Sequence, residues 1–294
     1  MKKVTYTMIF ALLMTVLSAC SGDKVTVGTQ TYSETKTMAY IYKELIEDNT
    51  DLTVDVKTDM ATDTLVLEAM MKDEVQIGTT YTGTALASFF EIDNPRDPDA
   101  TMEQTQNDFK DEYDINVFDE LGFANTYALA VTEEFAEEHD LEKVSDLAEI
   151  ADDVKFGSDT SWLERKGDDG YEAFIDLYGF EFGTAKPMSP NLVYDALMNE
   201  DYDVVLAYST DARIDVYDLK TLEDDEQFFP PYDASSYVNQ ETLDEHPELE
   251  EIFEDLVGKF DLDTIRQLNR KVDEDGEEPQ DVAKEYLEEE GMLD

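Results

Sequence analysis

The sequence predicts an α/β protein of two lobes, each built on a mostly parallel sheet flanked by helices. The chain has 294 residues, which is more than one compact core usually takes. Short apolar segments alternate with segments of helical periodicity, and the second half continues this alternation without repeating the sequence. Alternating strands and helices correspond to βαβ units, whose strands run parallel.

In the first half, three strands are predicted at residues 24–28, 52–57 and 76–81. Between them we expect two helices, one capped by Ser33 and covering residues 36–46, and one capped by Asp63 and ending near Met71. The following segments are predicted as a helix at 85–90, a proline-containing loop at 94–100 and a long apolar strand at 123–131 that crosses between the lobes.

The second half predicts strands at residues 155–157 and 203–208. Two prolines make the apolar segment 228–232 rigid, which suits a hinge or the edge of a cleft. The chain is predicted to be helical from residue 240 onwards. The predicted helices of this half are 170–177, 191–198, 247–257, 263–271 and 279–289.

The N-terminus predicts export and a lipid anchor. Lys2 and Lys3 precede ten apolar residues, 8–17, a stretch shorter than the roughly 20 that cross a bilayer but typical of a signal peptide. The string 17–20, Leu-Ser-Ala-Cys, resembles a bacterial lipobox and predicts removal of residues 1–19 and lipidation of Cys20. Residues 20–24 would then tether the protein to the extracytoplasmic side of the membrane. An incidental cysteine is the alternative.

Composition excludes several classes of function. Cys20 is the only cysteine, which excludes an internal disulfide, a thiolate metal cluster and a Cys–His catalytic pair. The formal charge of −52 becomes −54 once Lys2 and Lys3 are removed, and such a charge repels nucleic acid. Because 41% of the residues are hydrophobic, the acidic excess indicates a charged exterior instead of disorder. Salt at roughly 1 M would screen this charge, so we expect a salt-tolerant or halophilic source.

Motifs for catalysis are missing from the sequence. The two histidines, His139 and His246, have no metal-ligand spacing, and no Gly-x-Ser-x-Gly, Gly-x-Gly-x-x-Gly or Walker A string occurs. Residues 33–36 fit Ser-x-x-Lys, but no Lys-Thr-Gly accompanies them. A pair among the 73 acidic residues could still serve an exported hydrolase, which is the alternative from another class.

Tyrosines occur where candidate strands end. Tyr81 and Tyr208 end strands, Tyr127 lies in the predicted crossing strand, and Tyr232 follows the two prolines. Ligands of α/β sheets bind beyond the carboxyl ends of the strands, so these rings are placed to face a cleft. Core packing is the alternative for each of them.

Five strings in this order resemble the osmoprotectant-binding lipoproteins of ABC importers, which bind glycine betaine, carnitine and choline. The strings are YTGT at 81–84, GFANTYA at 122–128, WLERKGD at 162–168, LAYSTD at 206–211 and FFPPYD at 228–233. The resemblance runs from about Val25 to the C-terminus. It implies a type II periplasmic-binding-protein fold with lobe I at 25–120 and 225–294 and lobe II at 121–224. It also implies a monomer without cofactor, metal or enzymatic activity that delivers its ligand to membrane permease subunits. A receptor role without transport stays open.

The resemblance also implies a ligand site. Four tyrosines would form a cage around a trimethylammonium group, which aromatic faces attract without any hydrogen bond. Three further side chains would hold the polar tail of the ligand, and the carbonyl of Asn125 would approach the cation. Arg165 could pair with a ligand carboxylate, although a surface ion pair is its alternative. The cage would be Tyr81, Tyr127, Tyr208 and Tyr232, and the tail residues Gln30, Thr84 and Arg165.

At two positions the sequence is compared with residues that occur elsewhere in the family. Members of the family often have glycine at the position of Ala212, so a turn near Arg213 is expected to differ. An acidic residue at the position of Thr84 is associated with restriction to choline, so Thr84 favours a broader site that accepts betaine.

Overall fold

The computed structural model describes residues 23–165, 170–189 and 192–293. The predicted signal peptide and the lipidation site Cys20 lie outside the described residues. In chain order, the α-helices are α1 Ser33–Asn49, α2 Asp63–Met70, α3 Thr82–Phe89, α4 Pro98–Tyr113, α5 Glu133–His139, α6 Thr160–Glu164, α7 Tyr171–Tyr178, α8 Val193–Met198, α9 Arg213–Val216, α10 Gln240–Glu245, α11 Glu248–Leu256, α12 Leu262–Asp273 and α13 Pro279–Glu289.

Two mixed sheets form the centres of two lobes. The sheet of lobe I has the order β2-β1-β3-β10-β4 and that of lobe II the order β7-β6-β8-β5-β9. In each sheet the first three strands are parallel and the last two pair antiparallel with their neighbours. The strands are β1 Lys24–Gly28, β2 Thr53–Lys57, β3 Ile77–Tyr81, β4 Ile115–Ala124, β5 Tyr127–Thr132, β6 Lys155–Ser158, β7 Thr184–Pro187, β8 Val204–Tyr208, β9 Leu219–Leu222 and β10 Asp233–Asn239.

The predicted two-lobed α/β class with mostly parallel sheets is confirmed. In each sheet four strands share one direction, and the fifth, β10 in lobe I and β5 in lobe II, runs opposite to them. The sequence analysis missed β10. Strand β10 returns from the second lobe and enters the first sheet between β3 and β4. Serines and an asparagine interrupt its apolar pattern, although residues 234–238 are all buried.

Each lobe has its own apolar core. In lobe I, α1 buries Met38, Ile41 and Leu45 at helical spacing against the sheet, and α13 packs beside it. The buried hydroxyl of Tyr42 lies 2.7 Å from Thr79 and 2.8 Å from Ser236, which joins α1 to β3 and β10. Aromatic residues around the fully buried Trp162 fill lobe II.

The chain crosses between the lobes at Asn125 and Thr126. The predicted single strand at 123–131 is wrong, because these two residues separate β4 of lobe I from β5 of lobe II. Ser209 fixes the crossing, since its Oγ donates to the carbonyl of Ala124 at 2.8 Å and accepts from the backbone N–H of Thr126 at 3.0 Å. The return crossing lies between β9 and β10 and contains the two prolines. The lobe limits at 121 and 225 stay predictions.

Two predicted helix caps are also wrong. Helix α1 starts at Ser33 itself, and the Ser33 hydroxyl donates to Asp273 instead of accepting from a backbone N–H of the first helical turn. Helix α2 is capped by Thr62, whose side chain accepts from the N–H of Leu65, so Asp63 is its first helical residue. Both side chains are thereby directed to other partners.

Candidate functional site

A cleft of about 610 Å³ lies between the lobes at the ends of β3 and β8. Residues from both sheets, from the crossing segment and from α12 contribute to its wall. The lining residues are Thr31, Tyr32, Ser33, Glu34, Asp63, Tyr81, Thr84, Asn125, Tyr127, Arg165, Tyr208, Thr210, Asp211, Tyr232, Asn269 and Asp273. Seven of the eight predicted ligand residues are therefore brought together.

Lobe II contributes a pair of rings. Tyr127 and Tyr208 are directly opposite in the antiparallel pairing of β5 and β8, and their ring centroids are 5.1 Å apart. Phe229 packs behind Tyr127 at 5.7 Å. Tyr208 is 39% exposed, so one of its sides faces the open cleft. Sheet register thus aligns two aromatic faces on one wall.

Lobe I contributes the other two tyrosines. Tyr81 is buried at the end of β3, whereas Tyr232 is half-buried just before β10. Gly83 fixes the backbone near Tyr232, because its N–H donates to Pro231 at 3.1 Å and a Cβ would lie only 2.4 Å from that carbonyl oxygen. The N–H of Asn125 donates to the carbonyl of Tyr232 at 3.1 Å. The crossing segment and Tyr232 are thus held together.

Arg165 lies on the lobe II side, directly after α6. Its Nη2 donates to the Tyr127 hydroxyl at 3.2 Å, and its guanidinium carbon is 5.8 Å from the centroid of that ring. Arg165 therefore brings a positive charge to the tyrosine wall without being fully buried. Thr84 lies in the first turn of α3 on the opposite lobe.

Gln30 does not line the cleft. It is fully buried, and its Nε2 donates to Asp63 Oδ1 at 2.6 Å and to the carbonyl of Thr79 at 3.2 Å. Asp63, which the sequence analysis treated as a helix cap, lines the cleft in its place. Gln30 thus contacts the cleft wall from behind and orients Asp63.

Four carboxyl groups that line the cleft were not predicted as ligand residues, and two of them, Glu34 and Asp63, have shifted pKa values. Burial raises the pKa of Glu34 and that of Asp63 above the ordinary value for each. Glu34 accepts hydrogen bonds from the Tyr81 hydroxyl, from Asn125 Nδ2 at 3.2 Å and from Asn269 Nδ2 at 3.1 Å. Burial and the neighbouring Glu34 also hold the pKa of Tyr81 well above its usual range. Nothing in the sequence distinguishes Glu34 from the other acidic residues.

The turn after β8 connects the cleft to lobe I. Asn269 on α12 donates to the carbonyl of Thr210 at 2.9 Å, and Arg266 Nε donates to that of Ser209 at 2.7 Å. Ala212 has a φ of −56°, which any residue adopts, so the expected change of this turn through loss of glycine has no basis in the backbone. Arg213 pairs with Asp211 and covers the Tyr194 ring at 4.2 Å.

The described part of the chain offers neither a metal site nor a membrane-spanning helix. Residues 23–165, 170–189 and 192–293 contain no group of three His, Cys, Asp or Glu side chains that could hold a metal ion. Over the same ranges, no helix has the length and apolar character needed to cross a bilayer.

Comparison with known proteins identifies the family. Residues 23–289 match the model of the OpuAC family, described as the substrate binding domain of ABC-type glycine betaine transport system. The chain is 38% identical over 299 residues to the carnitine transport binding protein OpuCC of Listeria monocytogenes, covering 98% of this chain and 97% of that one. It is 29% identical to a glycine-betaine-binding protein of Pseudomonas aeruginosa, covering 96% of both chains.

Solved structures have the same architecture. A crystal structure described as a glycine betaine/carnitine/choline ABC transporter superposes with a TM-score of 0.87 at 41% identity, covering 92% of this chain and all of that one. The unliganded YehZ of Escherichia coli superposes with a TM-score of 0.81, and at 23% identity it supports the fold alone.

Proposed function

Because the chain belongs to the family of substrate-binding domains of ABC-type glycine betaine transport systems, we propose that it captures a trimethylammonium solute in a cage of four tyrosines. It is a substrate-binding protein of an ABC importer of the glycine betaine, carnitine and choline class, not an enzyme. It acts outside the cytoplasm and delivers its ligand to permease subunits. The cage residues are Tyr81, Tyr127, Tyr208 and Tyr232.

The observation that carries the proposal is the convergence of these four rings on one cleft from both lobes. A quaternary ammonium ion has no N–H to donate, so a site for it needs negative electrostatic potential without directed acceptors. Aromatic faces provide this potential, and a desolvated contact contributes about 2 kcal/mol or more. Since two rings come from each lobe, closure around the ligand would complete the cage.

The hydrolase alternative is not supported. An aromatic cluster without carboxylates would have separated the two hypotheses, but Glu34 and Asp63 both line the cleft, so that criterion alone does not decide. The family match decides, since its members are transport binding proteins. The carboxylates also suit a cationic ligand, because they make the cleft acidic.

At the tail end of the ligand we propose Arg165 as the partner of a carboxylate. Its guanidinium reaches the hydroxyl of Tyr127, so a bound betaine could meet both groups. Thr84 lines the same cleft and carries no charge, which fits a site that accepts betaine. We propose a supporting role for Gln30, which holds Asp63 from behind.

We further propose that Cys20 carries the lipid anchor after removal of residues 1–19, and that the protein works as a monomer near its permease. The acidic surface fits a cell exposed to salt, where uptake of a compatible solute is needed.

Calorimetric titration with glycine betaine, choline, carnitine and ectoine tests the proposed ligand class. We expect saturable 1:1 binding of trimethylammonium ligands and much weaker binding of ectoine, which has no such group. Equal or stronger binding of ectoine would contradict the cage.

A further inference from the structure

Glu34 is the most deeply buried carboxyl group in the cleft. It lies in the first turn of α1 and is 4% exposed. Its hydrogen-bond donors come from three separate parts of the fold: Tyr81 at the end of β3, Asn125 in the crossing segment and Asn269 on α12. These bonds hold the carboxyl group in the wall of the cleft, which Glu34 lines.

The partners of Glu34 are all neutral. Its hydrogen bonds come from a phenol and two amides, and within the described part of the chain no ion pair joins it to a lysine or arginine. A buried carboxylate without a nearby positive charge is costly, and burial correspondingly raises its pKa. In the unliganded protein, only hydrogen bonds from neutral groups offset the cost of a negative charge at this position.

A cationic ligand would remove this cost. Resting on the proposed function, we infer that Glu34 is the counter-ion of the trimethylammonium group, acting together with the cage ring of Tyr81 to which it is hydrogen-bonded. The attraction between two opposite charges strengthens as water is excluded, and it needs no hydrogen bond from the ligand. An ionised Glu34 also draws the Tyr81 proton towards itself, which makes the ring that faces the cation more negative.

Other charged groups face the same region, and their partners differ from those of Glu34. Asp63 on α2 lines the cleft but is bonded to Gln30 instead of a cage ring. Asp211 after β8 is paired with Arg213 at 2.6 Å. On α12, Asp273 accepts from Ser33, and Arg266 bonds Ser209 and lies 3.6 Å from Asp215. Glu34 alone among these is joined to a proposed cage tyrosine.

The test compares choline with 3,3-dimethylbutan-1-ol, a neutral molecule of the same shape with carbon in place of the ammonium nitrogen. Both affinities are measured by calorimetry, with competition against choline for the weaker ligand. In Glu34→Gln we expect choline to weaken at least about tenfold and the neutral alcohol to change by less than about threefold. The matched control Asp63→Asn removes an equal charge from the cleft. It should lower the affinity for choline, relative to that for the neutral alcohol, far less than Glu34→Gln does.

Glutamine places an N–H₂ group among donors, so the variant could fold poorly. The unaltered protein provides a second measurement, since choline itself does not titrate. A bound cation favours the carboxylate, so as pH falls through the pKa of Glu34, which lies above its ordinary 4.5, choline should weaken while the neutral alcohol does not. Asp63→Asn should retain this pH dependence.

The outcomes separate the two hypotheses. If the protein binds no trimethylammonium ligand, the proposed function and this inference both fail. If choline binds but its affinity relative to the alcohol is the same in Glu34→Gln and independent of pH, Glu34 is not the counter-ion and the cage stands without it.

Discussion

Replacement of Tyr208 by alanine isolates the contribution of one cage ring. Tyr208 ends β8, faces Tyr127 at 5.1 Å and is 39% exposed, so its removal leaves no closed cavity in the core of lobe II. Loss of a desolvated cation–π contact of about 2 kcal/mol corresponds to a dissociation constant nearly thirtyfold larger. Tyr208→Phe keeps the ring face and should stay within about threefold of the parent.

The assay is calorimetric titration with glycine betaine, accompanied by thermal unfolding of each variant. Tyr217→Ala is the matched control, since Tyr217 lies in lobe II, contacts Asp195 and does not line the cleft. It should bind as the parent does. The argument is refuted if Tyr208→Ala binds with parental affinity, or if Tyr208→Phe loses as much affinity as Tyr208→Ala while both unfold normally.

Four further predictions concern other parts of the account. Tyr81→Phe should lower the affinity for choline more than Tyr208→Phe does, because it removes the hydrogen bond to the buried Glu34. Titration of both variants with choline checks this, and equal losses of affinity would contradict it. Arg165→Ala should weaken glycine betaine much more than choline, which lacks a carboxylate; equal losses would remove Arg165 from the tail site. Cys20→Ser should leave precursor that retains its signal peptide, as seen by mass spectrometry, and normal processing would refute the lipobox. The midpoint of thermal unfolding should rise between dilute buffer and roughly 1 M NaCl because screening relieves self-repulsion, and a flat or falling curve would oppose this.

The sequence predicted strands and helices well where apolar periodicity was strong. The third strand and the last helix lie where they were predicted: β3 is buried at every position, and α13 buries Val282, Ala283 and Leu287 on one face. Strand β10 was missed because Ser235 and Ser236 interrupt its apolar pattern although the sheet buries both. The crossing at Asn125 was hidden because β4 and β5 are both apolar, and only their assignment to different sheets separates them.

The candidate site also contains residues that the sequence predicted and residues that it did not. Tyrosines at strand ends and the family resemblance led to residues that the fold gathers around one cleft. Glu34 and Asn269 were out of reach, because their proximity depends on how α12 packs beside α1 across 235 positions of sequence. Gln30 was predicted to contact the ligand, but its position in the sequence does not reveal that it is fully buried behind the cleft wall, with its amide bonded to Asp63.

A crystal structure of the protein with glycine betaine tests the central claim most directly. We expect the lobes to close on the ligand, with the ammonium nitrogen within about 6 Å of the ring centroids of Tyr81, Tyr127, Tyr208 and Tyr232 and the carboxylate directed at Arg165. A ligand bound outside this cleft, or inside it with its ammonium group away from these rings, would contradict the account.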